Sequence, residues 1–475
     1  MDRHNRLGEE KISRLLVQFS VPAIVGMLVN ALYNIVDRLY IGNIKDVGKY
    51  AITGVGLTLP LSTIIMAFGM LIGIGAAATI SIKLGKNMKK DAEHILGNAF
   101  VMLIITSVFI TTLGLIFSED ILIAFGASEN TLQYAVEYIR IILIGNIFNM
   151  VSFGLNHSIR SDGNPKIAMI SMLIGAIMNT ILDPIFIFGF NMGVSGAALA
   201  TILSQLATAI WVLSYFMGSK SILKLKKENF KLDKRILLTI FSIGISPFSM
   251  QLAASVVQIT FNKSLGTYGG DYAIGAMTVI SSIIMIFLMP VFGINQGSQP
   301  IIGFNYGAKK FKRVKDTVKY AAIAATGFVT LGFLAVQLFP AQVIGTFNRD
   351  PEIVQTGIMG MRIYLSMIPF IGAQIIFTNY FQAIGIAKVS MFLSLLRQVI
   401  LLIPLLIIMP KINGLGLRGV WMAAPIADIT SVVITYTIFY FEMKSYKGIK
   451  EGKDILPEAV GEISREDEIN IPELQ

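Results

Sequence analysis

Two aspartates stand out by position. Asp37 and Asp183 lie well inside long apolar runs, where a carboxylate costs about 2.5–3.5 kcal/mol even on insertion scales. Such groups face a cavity or a partner rather than lipid. Asn179 precedes Asp183 by four residues, so the two share a helical face; Asn34 and Asp37, three apart, share another. Pro184 follows Asp183; lacking an N–H, it should open the backbone ladder and free a carbonyl as a further ligand. Thr201 adds a hydroxyl from the next run. At ~1.5 Å rise per residue, Asp37, Asp183 and Thr201 reach similar depths in the outer halves of their runs. Hard oxygen donors without sulfur or histidine suit a proton or a sodium ion. Two carboxylates in one low-dielectric pocket cannot both stay charged unless a cation sits between them. Protonation or sodium binding would neutralise the pair, and a cationic solute would compete with it.

Other polar residues read differently. Arg38 points ~100° away from Asp37 on a helix and is expected to snorkel to the interface. Asp428 is the third carboxylate well inside an apolar run, with Arg397 on the preceding run as its expected partner. Gln251, Gln258 and Gln374 could line a cavity or bond across helices. His157, near the end of a run, reads as structural rather than as a proton shuttle. Gly69, Gly73 and Gly75 follow no strand and read as helix packing or a bend. There is no P-loop for ATP, and with no Cys there is no disulfide or thiolate chemistry.

The elements that carry these residues are membrane spans. Of 475 residues, 54% are hydrophobic and 14% charged, with mean hydropathy +0.70; soluble chains carry about 25% charge. That balance excludes a soluble enzyme, a disordered chain and a nucleic-acid module. Apolar runs predict twelve spans near 15–40, 52–82, 95–117, 137–159, 167–189, 193–216, 236–263, 273–303, 318–339, 359–383, 389–409 and 416–441. The loops after spans 2, 4, 6, 8 and 10 hold 19 Lys and Arg, and the alternate loops a handful. The positive-inside rule then puts both termini in the cytoplasm, and the net charge of +10 is mostly topology. The acidic stretch 458–475 reads as a solvated end.

The chain repeats itself at an offset near 222. Gly75 and Gly85 align with Gly297 and Gly307, Arg140 with Arg362, and Gly163 and Lys166 with Gly385 and Lys388. Six spans per copy give both copies one orientation, as in transporters with parallel repeats and a solute path between the halves. The expected division is a lobe over 1–217, a cytoplasmic linker over 218–235, a second lobe over 236–445 and a polar tail over 446–475. The second copy departs at the carboxylates: Asp37 aligns with Asn262, Asp183-Pro184 with Ile403-Pro404, and Thr201 with Ala424. The cation chemistry is therefore expected in the first half.

Val36-Asp37-Arg38-Leu39-Tyr40-Ile41-Gly42, the stretch from Asn179 to Asp183-Pro184, Gly193-Val194-Ser195-Gly196-Ala197-Ala198 and the six-plus-six repeat carry a likeness. Over residues ~10–445 the chain resembles the multidrug and toxic compound extrusion (MATE) family, in its bacterial exporter branch. The resemblance implies an all-α protein of twelve helices in two lobes forming a V. It implies export of amphiphilic, often cationic, compounds in exchange for protons or sodium, with no enzymatic step and no other cofactor. It implies cation coupling at Asp37, Asn179, Asp183 and Thr201, with Asn30, Asn34, Met150, Phe153, Gln251 and Gln374 lining the substrate cavity. A monomer in a bacterial inner membrane, in contact with lipid and without nucleic acid, completes the expectation. A flippase for a lipid-linked glycan precursor is the alternative; it would need several basic residues within the spans, where Asp37 and Asp183 supply the opposite charge.

Overall fold

A computed structural model describes residues 3–45, 47–347 and 351–450; the stretch 458–475 lies outside these. Among the described residues the secondary structure is entirely helical. Nine helices among the described residues are long and apolar enough to cross a membrane, and two further spans there are bent helix pairs. The longest of the nine, Lys234–Gly307, has 74 residues. At 1.5 Å per residue it would run ~110 Å, against a hydrocarbon layer of ~30 Å. It is two helices, broken at Gly270, whose φ of 62° and ψ of −160° are reached readily only without a Cβ.

Twelve spans result, as the hydropathy pattern predicts. They are α1 (Ile12–Gly42), α2 (Tyr50–Gly85), α3 (Lys89–Ile116), α4 (Glu129–Ile144 with Asn146–Ser161), α5 (Pro165–Gly189) and α6 (Gly193–Met217). The second copy continues with α7 (234–269), α8 (271–307), α9 (Phe311–Leu338), α10 (Pro351–Tyr364 with Ile368–Ala383), α11 (Ala387–Ile412) and α12 (Gly416–Ser445). The bends of 58° in α4 and 51° in α10 were not foreseen. Hydropathy reads straight through them, because both arms are apolar.

The chain divides into two compact units. One holds residues 3–7 and Val21–Gly244; the other holds Gly8–Ser20 and residues from 245 on. In the first unit α2 packs on α3 and on the second arm of α4, while α6 packs on α5 and both arms of α4. In the second, α9 packs on the second arm of α10, and α12 on α10 and α11.

These units are not the sequence repeats. The opening turns of α7 belong to the first unit, and those of α1 to the second. The repeated glycines give the reason. A Cβ on Gly75 of α2 would strike the Ile240 carbonyl of α7, and one on Gly244 would strike the Leu71 carbonyl. The pseudo-equivalent Gly297 of α8 lies against the backbone of Ser20 on α1, where a Cβ would come within 2.7 Å of the Ser20 nitrogen. Small residues let helix backbones touch in a layer where apolar side chains gain little by meeting.

The linker after α6 is strapped to the first unit. Asp162, buried between α4 and α5, accepts hydrogen bonds from Ser221 Oγ (2.9 Å) and from the N–H groups of Ile222 (3.1 Å) and Leu223 (3.0 Å), and from the Tyr215 hydroxyl. Burial pushes its carboxyl above the ordinary value, and those donors pull it back. Glu93 receives the Lys224 N–H at 3.2 Å and the Lys226 ammonium at 3.0 Å. Asn98 donates to the Asn229 and Lys231 carbonyls and accepts from the Asp233 N–H at 2.8 Å. Replacing Asp162 by Asn would turn an NH2 group toward this ring of donors. A mismatch of that kind costs about 1–3 kcal/mol, so faster protease cleavage between 218 and 233 is expected in the Asp162→Asn protein, with the helical circular dichroism unchanged.

Candidate functional site

Asp37 on α1 and Asn179 and Asp183 on α5 are 8%, 2% and 0% exposed. Asn179 Nδ2 lies 3.2 Å from Asp183 Oδ1 and 3.3 Å from Thr201 Oγ1 on α6, so one amide links two helices. The carboxyl groups of Asp37 and Asp183 are within hydrogen-bonding reach of each other. When both are charged, neither has a proton to donate. Accordingly Asp37 Oδ1, Asp183 Oδ2 and Asn179 Oδ1 are buried acceptors without a donor. Buried polar groups are almost always satisfied. Three helices contribute oxygen to this buried cluster.

The backbone below Asp183 departs from α geometry, as Pro184 predicts. The chain passes into a π-helical stretch over Ile185–Gly189, a form that appears mostly as single turns at functional sites.

One turn from each polar residue, on the same face, stands an apolar one. Ile41 follows Asp37, Ile187 follows Asp183, and Ala197 precedes Thr201 on the antiparallel α6. With Ala51, Val55, Tyr138, Val194 and Ala198 they form one buried cluster. The edge-to-face pair of Tyr40 and Phe188, centroids 6.2 Å apart, lies beside it. The oxygen cluster thus sits one helical turn, ~5.4 Å, beneath an apolar plug.

Tyr138, on the first arm of α4, was missed by sequence reasoning. It packs with Ala197 and Ala198 of α6 and neighbours Asp37 and Tyr33. The available signal was a hydroxyl at the start of the fourth apolar run.

The proposed cavity residues separate. Asn34 is exposed and turns back on its own helix, with its amide 2.7 Å from the Asn30 carbonyl and 3.1 Å from Asn30 Oδ1; it does not join Asp37. Met150, 1% exposed, is closed against α2. A Cβ on Gly69 would lie 2.9 Å from the Phe153 ring and 3.7 Å from Met150 Sδ. Gln374, 4% exposed, donates to Ser431 Oγ of α12 at 2.9 Å. Met150 and Gln374 therefore offer no surface to a solute in this structure, because depth along a helix does not fix which neighbour a side chain meets. Gln251 is half-buried.

The second unit handles its buried carboxylate in another way. Arg397, in a π-helical stretch of α11, donates its Nε to Asp428 Oδ1 at 2.5 Å. The expected pair is formed, and a tethered guanidinium supplies the cation. His157 is buried, with Nδ1 3.2 Å from Arg160 Nη2 and its ring edge-on to Phe153.

A family model described as MatE matches residues 22–185 and again residues 247–408. The chain belongs to the MatE family. The double match also bears out the internal repeat of this MatE protein, each copy opening at a proline, Pro22 and Pro247. The multidrug export protein MepA of Staphylococcus aureus strain MSSA476 is 29% identical over 430 residues, 90% of this chain and 94% of MepA. MepA of Staphylococcus haemolyticus strain JCSC1435 is 28% identical over 432 residues, 91% of this chain and 94% of the relative. Among solved structures, the outward-facing conformation of a multidrug resistance MATE family transporter of the MOP superfamily superposes with a TM-score of 0.86 at 24% identity, over 93% of this chain and 98% of that one. A MATE crystal structure in the bent conformation gives 0.89 at 24%, over 94% and 99%. Both show the fold that the resemblance implied.

Removing Arg397 would leave Asp428 buried without its cation, a loss of about 3–5 kcal/mol. Arg397→Met is therefore expected to lower the melting temperature in detergent markedly. Arg397→Met with Asp428→Leu should recover most of it; a double variant no better than the single would show that the pair contributes little.

Proposed function

We propose that the protein is a cation-coupled multidrug antiporter of a bacterial inner membrane, with both termini in the cytoplasm. The observation that supports this best is the set of three donorless oxygens of Asp37, Asn179 and Asp183, brought together from two helices beside Thr201 of a third. Membership of the MatE family and the likeness to staphylococcal multidrug export proteins support the export reading.

In this reading the cavity takes up an amphiphilic cation from the cytoplasm or the inner leaflet and opens to the other side. A proton or a sodium ion then binds between Asp37 and Asp183, neutralises the pair, displaces the drug and favours the return. Drug and ion exclude each other because both are drawn by the same two negative charges. Asn179 holds one carboxylate and ties it to Thr201, so the ion meets a set of oxygens fixed in place. The coupling ion is cargo, and its two candidate forms make different demands: a proton needs only the facing carboxylates, whereas sodium also needs the neutral oxygens.

Asp183→Asn and Asp37→Asn are each expected to abolish gradient-driven dye efflux from proteoliposomes, with folding retained. Wild-type efflux by Asp183→Asn would overturn the coupling assignment. Thr201→Ala separates the ions. If sodium couples, losing one neutral oxygen should weaken the apparent sodium affinity about tenfold or more; if a proton couples, efflux driven by a pH gradient should change little. Imposing each gradient alone on the wild-type protein is the parallel measurement.

A further inference from the structure

The second unit carries two adjoining cavities on one face of α9. The first, of about 340 Å³, is lined by Lys11, Ile12, Ser13, Lys312, Arg313, Asp316 and Tyr320. The second, of about 650 Å³, is lined by Ala322, Ile323, Thr326, Gly327, Thr330 and Leu331 of α9 and by Ala373 of α10. Asp316, Tyr320, Ile323, Gly327 and Leu331 follow at steps of four, three, four and four residues, which puts them on a single helical stripe. The charged cavity and the apolar one thus follow each other along the same stripe of the helix.

The chemistry changes along that stripe. At its start, Lys11 and Lys312 are exposed. Arg313 is fixed by Nε on Asn305 Oδ1 at 2.9 Å and by Nη2 on the Glu10 carbonyl at 2.6 Å. Three cations face Asp316, Glu9 also lies near Arg313, and Ser13 adds a hydroxyl. Tyr320 is exposed at the junction, as tyrosines are at the headgroup level. Beyond it the lining is small or aliphatic. A Cβ at Gly327 would meet nothing within 4 Å. From Tyr320 to Leu331 the helix rises ~16 Å, about the depth of one leaflet of a ~30 Å hydrocarbon layer.

We propose that this face of the second unit is a specific site for an anionic phospholipid, with its phosphate among Lys11, Lys312 and Arg313 and an acyl chain in the groove at Gly327. A net-positive pocket followed along α9 by an apolar trough of one-leaflet length matches the two parts of such a molecule. A free phosphate would use the first cavity alone, and a neutral lipid the second alone.

Native mass spectrometry of the full chain in detergent tests this, with phosphatidylglycerol, phosphatidylcholine and inorganic phosphate as separate probes. The wild-type protein is expected to bind a first phosphatidylglycerol in clear preference to phosphatidylcholine. With each basic group worth about fivefold near a membrane surface, Lys11→Gln with Lys312→Gln should weaken phosphatidylglycerol about tenfold or more and leave phosphatidylcholine unchanged. Gly327→Leu fills open space without a clash, so it should fold and weaken phosphatidylglycerol through the groove alone. Equal binding of the two lipids, or a double lysine variant that binds phosphatidylglycerol as the wild type does, would overturn the proposal. So would inorganic phosphate displacing phosphatidylglycerol completely while Gly327→Leu has no effect, because the site would then take a soluble anion.

Discussion

A carboxylate held away from water needs a partner of opposite charge, or it must give up its own. Much of this structure can be read from how that requirement is met twice. In the second unit the partner is covalently attached: Arg397 reaches Asp428 from the neighbouring helix, and the pair is complete. In the first unit the corresponding requirement is left open. Asp37 and Asp183 face each other across two helices, Asn179 steadies one of them, and three acceptors have nothing to accept. A buried carboxylate paired with an arginine and a cluster of buried oxygens without one are two arrangements within one duplicated architecture. The difference is why the exchange chemistry is assigned to one side only.

The surroundings of the open cluster follow from helix geometry. Placing Ile41, Ile187 and Ala197 one turn from Asp37, Asp183 and Thr201 builds a polar layer and an apolar layer with the same three helices. Because α6 runs against α1 and α5, its sequence must present the two layers in the reverse order, and it does. The Pro184 position, followed by the π-helical stretch, lies at the boundary between the two layers.

The sequence made the polar cluster legible because burial cost and helical rise are one-dimensional quantities. Depth could be counted from the ends of apolar runs, which brought out Asp37, Asp183 and Thr201, and the four-residue spacing to Asp183 added Asn179. Angular position could not be counted in the same way. Met150 and Gln374 lie at plausible depths and yet point into helix contacts, and Asn34 prefers Asn30 to the aspartate one turn away. Tyr138 was overlooked for a related reason: its ring reads as apolar filler, and its place beside Asp37 shows only once the bent α4 has brought it there. Hydropathy and the internal offset supplied the twelve spans and the two parallel repeats, and the asymmetry between the repeats was visible directly in the missing carboxylates at Asn262 and Ile403.

The glycine contacts have a bearing on descent. Gly75 lies in the first half of the gene, yet the backbone it admits, near Ile240, is encoded in the second; Gly297 and Ser20 have the converse relation. Two halves born as copies have traded helix ends, so neither can drift alone: a bulkier residue at either groove would need a matching change in the sister copy.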